Sequence, residues 1–250
     1  MAKNKHKNKL KLIKEDVKSN IPLFFKSNYI IYTILFLIIS VAFYIRAVIP
    51  WNATFANGVT GFAMDDAVFH MRLVENLITN FPHRLTYDAF THYPFGSVLS
   101  WGSLFDLIIG TLVLIFGVDN INTIGALVPA IMGTLVVIPV YLIGKEILNK
   151  KAGLFCAFLV AILPGAFLQR STLGFTDNHV AEVLFSTTFL MFAIIAFNRV
   201  KDITILEFIK NPLYYIIKTP LKYSVMSGIF LGLYILTWTT GLIFSGMVAL

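Results

Sequence analysis

The chain has 250 residues, of which 57% are hydrophobic and 13% charged, with a formal net charge of +7 and a mean hydropathy of +0.78. No soluble core of this length requires so many apolar side chains, so composition excludes an ordinary water-soluble domain and places the chain in a bilayer. The pI of about 9.4 is no argument for nucleic acid, because the basic residues cluster between apolar runs, and a single cysteine, Cys156, excludes an intramolecular disulfide.

Residues 1–28 hold 8 lysines, among them Lys3, Lys5, Lys7, Lys9, Lys11, Lys14 and Lys18. A segment of this kind is read as a topology signal that also contacts anionic lipid headgroups. The apolar run Tyr29 to Val48 that follows is about one bilayer long and has no small-residue cleavage pattern behind it, so it predicts a permanent first helix rather than a signal peptide. Further apolar runs fall near 104–116, 124–144, 152–168, 180–197 and 224–238, and another starts at Gly241. The run Leu104 to Phe116 has only 13 residues and contains Asp106, which suits an interfacial or re-entrant segment better than a span.

If that short run does not cross, the basic loops alternate with the others. Segments 1–28, 145–151 and 198–223 hold 8, 3 and 5 Lys or Arg, whereas 49–123 holds only Arg72 and Arg84, and 169–179 only Arg170. The positive-inside rule then predicts a cytoplasmic amino terminus, a long external loop over 49–123 with an interfacial helix, and a short second external loop over 169–179. A loop as long as the first is a place to look for function. It contains Asp65, Asp66, Glu75, Asp88, Asp106 and Asp119 against two arginines.

Two stretches carry candidate chemistry. Met64-Asp65-Asp66-Ala67-Val68-Phe69-His70-Met71-Arg72 reads as the opening of a helix, with both acids near its positive end. The acids suit a cap as well as a ligand role. Arg170-Ser171-Thr172-Leu173-Gly174-Phe175-Thr176-Asp177-Asn178-His179 offers a carboxylate and an imidazole two residues apart. Together with Asp66 they make a mixed oxygen and nitrogen donor set suited to Mn²⁺ or Mg²⁺. A polar loop with Asp177 capping the helix from Val180 is the alternative. Because the loops alternate, Asp66 and Asp177 are expected on the same membrane face, each beside a helix end. Glu182, one turn further on, is expected to act behind the ligands.

With these residues placed, nearly the whole chain resembles the catalytic subunit of oligosaccharyltransferase, most like the archaeal single-subunit form of the AglB type. That family carries an Asp followed by an aromatic and an Arg in its first external loop, here Asp66, Phe69 and Arg72, and later an Arg-Ser-Thr-x-Gly-x-x-Asp-x-Asp/Glu/His stretch, here Arg170 to His179. Tyr93-Pro94-Phe95-Gly96 and Trp101-Gly102 also fit the archaeal first loop, as rigid turn and interfacial anchor.

The resemblance implies an all-α polytopic transmembrane bundle of the GT-C type, and transfer of an oligosaccharide from a polyprenyl (dolichyl) phosphate or pyrophosphate to Asn in Asn-x-Ser/Thr sequons. It implies that Asp66, Asp177 and His179 bind a divalent metal, Mn²⁺ or Mg²⁺, and that Asp66, preferred over Asp65 for its offset to Phe69 and Arg72, also contacts the acceptor amide. Arg170 is expected to meet the lipid phosphate. The implied partners are the lipid-linked oligosaccharide, a sequon-bearing polypeptide and membrane lipid, with no nucleic acid. Residues 1–250 are expected to be the amino-terminal part of a longer transmembrane enzyme. The carboxy-terminal soluble domain with its Trp-Trp-Asp-Tyr-Gly motif is not among them, and the piece alone is expected to be inactive. Protein O-mannosyltransferase and a cation-coupled transporter are the competing readings; the Thr176 to His179 stretch speaks against the first and the absence of sequence repeats against the second.

Overall fold

The computed structural model describes residues 28–100, 102–200, 205–210, 220–243 and 246. The lysine-rich segment before Asn28, Trp101, parts of the basic segment 198–223 and most of the last apolar run lie outside the described residues. The chain divides into two compact units, Met1–Leu37 and Ile38–Leu250. In the first, the described residues belong to the start of helix α1 (Asn28–Phe43); the packing and the site described below belong to the second.

The fold is helical. α1 continues through a π-helical turn, Tyr44–Val48. Then come α2 (Met64–Asn80), α3 (Leu104–Phe116), α4 (Ile121–Leu135), α5 (Val137–Ile147), α6 (Lys150–Ile162), the short α7 (Ala166–Arg170), α8 (His179–Val200) and α9 (Pro220–Thr237). Between α2 and α3 a two-residue antiparallel ladder pairs Tyr87 with Val98 and Asp88 with Ser97. Three of the described helical stretches are long and apolar enough to cross a membrane: Tyr29–Thr54, Val118–Ile147 and His179–Arg199. The chain is therefore a multi-pass membrane protein.

α2 forms where the sequence predicts it. Asp65 and Asp66 stand in its first turn, where the amino-terminal dipole favours negative charge, and Ala67, Met71, Val74 and Leu77 recur at helical spacing on its buried face. α3 shows the same one-sidedness: Phe105, Asp106, Ile109, Gly110 and Val113 are buried, while Leu114, Ile115 and Phe116 are exposed. The short run 104–116 is thus an amphipathically packed helix whose inner face joins the core. That core is built from Val74, Phe105, Ile109, Val113, Val128, Met132, Val180, Ala181, Phe185 and Tyr234, so α2, α3, α4, α8 and α9 meet there.

The predicted run 152–168 is not one helix. α6 stops at Ile162, and Leu163 is extended, at φ −60 and ψ 119, as a residue before proline prefers. At about 1.5 Å per residue, 13 residues reach roughly 20 Å, short of the roughly 30 Å hydrocarbon core. Pro164 has no N–H to offer the Val160 carbonyl, and the turn that follows carries the next donor away from Ala161. Arg46, fully buried in the first span, takes over both acceptors: Nη2 donates to Val160 O at 3.1 Å and Nη1 to Ala161 O at 2.8 Å. Its Nε donates to Ser171 Oγ at 2.9 Å, and its guanidinium lies over the Phe167 ring.

Candidate metal and substrate site

The two acidic stretches meet at one end of the bundle. The Ala63 N–H, just before α2, donates to Gly174 O at 2.9 Å, and the Gly174 N–H donates to Ala126 O at 3.0 Å. Gly174 has φ +82, and a Cβ there would sit 2.9 Å from Gly61 O and 3.1 Å from Thr54 Cγ2. Glycine is the residue that takes this backbone at no steric cost and lets the two chains touch. The second stretch is fixed from below as well: Leu173 N–H donates to Arg46 O, and the Thr176 hydroxyl to Gly125 O at 2.9 Å.

A cavity of about 140 Å³ opens at this junction, lined by Asp66, Phe69, His70, Asp177, Asn178, His179 and Trp238. All three sequence-predicted metal ligands are on its wall. Asp66 is exposed, whereas Asp177 is 2% exposed. Asp177 accepts from Arg170 Nη1 at 3.3 Å and from the His179 backbone N–H at 3.4 Å. The second contact is the capping role the sequence allowed, so cap and cavity wall coexist in one carboxylate.

His179 is held by Glu182, whose Oε2 lies 2.9 Å from Nδ1, and its Nε2 stands 3.9 Å from Asp177 Oδ2. A carboxylate only accepts, so Nδ1 donates to Glu182, and in the neutral imidazole the lone pair is left on Nε2, the nitrogen nearer Asp177. This is the arrangement by which a carboxylate orients a metal-ligating imidazole. Among the described residues no group of three or more His, Cys, Asp or Glu side chains closes to ligating distance. The chemistry of the donors on the wall, two carboxylates and an oriented imidazole, fits a divalent cation.

Arg170, with its side chain 40% exposed, also lines a second cavity of about 270 Å³ with Ala166, Phe167, His179, Val180, Glu182 and Val183. Arg72 is engaged away from the cavity: its guanidinium binds the Asp88 carboxylate and lies over Phe69 and Phe90. Asp88 further accepts the Thr91 hydroxyl and the Phe90 N–H. The Thr91 hydroxyl foremost, with the Phe90 N–H and Arg72, holds the Asp88 carboxyl below the usual carboxylate range against burial, which raises it. Arg72 thus ties the 87–98 hairpin to α2.

Three residues of this region escaped the sequence. His70 lies on the cavity wall with its Nδ1 2.6 Å from Asp106 Oδ1; the sequence marks Asp106 as one acid of the first loop and as a charge within an apolar run, with nothing to pair it with His70. Arg46 was hidden inside the first span. An ionisable residue within a membrane helix is a functional signal by itself, and it was the clue available for Arg46.

A profile of the family described as "Oligosaccharyl transferase STT3, N-terminal" matches residues 34–250. Dolichyl-phosphooligosaccharide-protein glycotransferase 3 of Archaeoglobus fulgidus is 36% identical over 208 residues, which are 82% of this chain and 23% of that protein. The structure of the oligosaccharyltransferase AglB from the same organism, in complex with an inhibitory peptide and a dolichol-phosphate, superposes with a TM-score of 0.80 at 33% identity, over 88% of this chain and 25% of that one. A crystal structure of the A. fulgidus oligosaccharyltransferase in complex with Zn and sulfate matches at TM-score 0.75 and 35% identity, over 86% of this chain and 26% of that one. The chain spans about a quarter of the length of the relatives it matches.

Proposed function

The chain belongs to the oligosaccharyl transferase STT3 family, and from that premise we propose that it forms the amino-terminal part of an enzyme transferring an oligosaccharide from a polyprenyl phosphate or pyrophosphate to the amide nitrogen of Asn in Asn-x-Ser/Thr sequons. The observation that carries the reading is the single cavity walled by Asp66, Asp177 and His179, with the two loops joined through Ala63 and Gly174. The meeting of the two loops fits their expected placement on one membrane face; which face is external, and the cytoplasmic amino terminus, rest on the lysine distribution.

Asp66, Asp177 and His179 would hold a Mn²⁺ or Mg²⁺ ion, which supplies Lewis-acid stabilisation of charge on the carrier phosphate. An amide nitrogen is a poor nucleophile because its lone pair is delocalised into the carbonyl. Asp66, exposed at the cavity mouth, accepts the amide hydrogens and orients the nitrogen toward the sugar. Arg170, between Asp177 and the second cavity, meets the departing phosphate, where a fixed cation stabilises developing charge. Asp177 is held in place by Arg170 and the start of α8.

The test is glycosylation of a sequon peptide by the full-length protein that carries this region. Asp66→Ala and Asp177→Ala each lower turnover about a hundredfold or more, and Arg170→Ala weakens the lipid-linked substrate more than the peptide. Undiminished turnover in Asp177→Ala would overturn the site. Orientation is read from Val118→Cys and Lys150→Cys in a Cys156→Ala background: labelling of both from the same side defeats it.

A further inference from the structure

We propose that His70 is a further nitrogen donor to the divalent cation at Asp177, oriented by Asp106 as Glu182 orients His179. The inference rests on the cation-site reading above and extends it to two residues that nothing there employs.

Asp177 lies near two imidazoles. His70 Nε2 stands 3.9 Å from Asp177 Oδ1, and His179 Nε2 stands 3.9 Å from Oδ2. Both distances are too long for a hydrogen bond. Two donors each about 2.1 Å from one ion lie at most about 4.2 Å apart, so either pair accommodates a shared ion.

The far side of each ring repeats the pattern. His70 Nδ1 is 2.6 Å from Asp106 Oδ1, and His179 Nδ1 is 2.9 Å from Glu182 Oε2. The acceptor-only carboxylate makes Nδ1 the donor, so that the neutral ring has its lone pair on Nε2, on the side of the cavity that Asp66 and Asp177 also line. Phe105 stands edge-on to the His70 ring, 5.3 Å between centroids, and restricts its rotation.

Asp106 supplies an independent sign. It is 1% exposed, and its Oδ2 has no hydrogen-bond partner among the described residues. A buried carboxylate with an unpartnered oxygen is costly unless positive charge lies close by, and a cation across the imidazole provides it.

The experiment is Mn²⁺ binding to the full-length protein, followed by the EPR signal of free Mn²⁺, with the nitrogen ligands of bound Mn²⁺ counted by electron spin echo modulation. Two imidazole nitrogens are expected in the wild type, and one in either His70→Gln or His179→Gln. His70→Gln should weaken Mn²⁺ binding at least tenfold, and Asp106→Asn about tenfold, within the range for residues behind a metal ligand. The wild-type count needs no variant to fold, and a count of one overturns the proposal. So does an unchanged count and affinity in His70→Gln, provided Asp177→Asn abolishes binding. If Asp177→Asn leaves Mn²⁺ binding intact, the underlying cation-site reading fails instead.

Discussion

Asp66 and Asp177 face the same cavity and are held in opposite ways. Asp177 is buried and braced by Arg170 and the His179 N–H, and its loop rests on Arg46 through Ser171. Asp66 is exposed and rides on the first turn of α2, which touches the second loop through the backbone of Ala63. One acid is set in the floor and the other stands at the rim. On the proposed function, in which the site admits a polypeptide and holds a metal, the floor would supply preorganisation and the rim access.

The largest way to break the contrast is to remove the floor's support. Arg46→Met keeps the bulk but leaves the Val160 and Ala161 carbonyls without donors, and each buried unpaired group costs about 1–3 kcal/mol. The expected loss is about 3 kcal/mol, read as a lowered melting temperature in detergent, with Arg46→Lys recovering part of it. Equal stability of Arg46→Met and wild type would show that the break after α6 needs no guanidinium.

A smaller effect is expected at the junction. Gly174→Ala strains a backbone at φ +82 and pushes Cβ toward Gly61 O, at a cost of about 1–2 kcal/mol. Because it parts the two loops, it should also weaken Mn²⁺ binding; a variant that melts lower but binds Mn²⁺ normally would uncouple the rim from the floor.

The two acids themselves sharpen the comparison without metal present. Asp177→Asn should cost about 1 kcal/mol by loss of the charged Arg170 contact, a value reduced by the partial exposure of that arginine. Asp66→Asn should stay within about 0.5 kcal/mol of wild type, as exposed substitutions do. A reversed order in chelator-treated protein would mean that Asp66 is the structural acid.

The smallest effect concerns Asp88, a braced acid outside the cavity. Its folded pKa is depressed, so the stability it contributes is present above the unfolded carboxylate pKa and is lost as pH falls through the lower folded value. Hydrogen exchange across residues 87–98 should be faster in Asp88→Asn than in wild type at neutral pH, and the difference should vanish as acid protonates Asp88. A difference that grows on acidification would contradict the assignment of Thr91, Phe90 and Arg72 as its partners.

By itself the sequence determined what depends on neighbours along the chain. The stretch opening Met64-Asp65-Asp66 marked the start of α2, the short apolar run from Leu104 marked α3 as an interfacial helix, and the short spacing between Asp177 and His179 marked one loop as a donor pair. The lysine distribution put that loop and the one bearing Asp66 on the same side, which agrees with the bond from Ala63 to Gly174. Leu163-Pro164-Gly165 was legible as a helix stop, yet a hydropathy window averages over a single proline and read through it.

What only the tertiary structure decided are pairings between residues far apart in sequence. Arg46 meets Ala161 across 115 positions and Ser171 across 125, and His70 meets Asp106 across 36. Helical periodicity assigns a residue to a face but does not say which other face it will meet. A charge in an apolar run therefore looks like a defect in the sequence, and acquires its meaning when packing brings an orphaned carbonyl or an imidazole to within hydrogen-bonding distance.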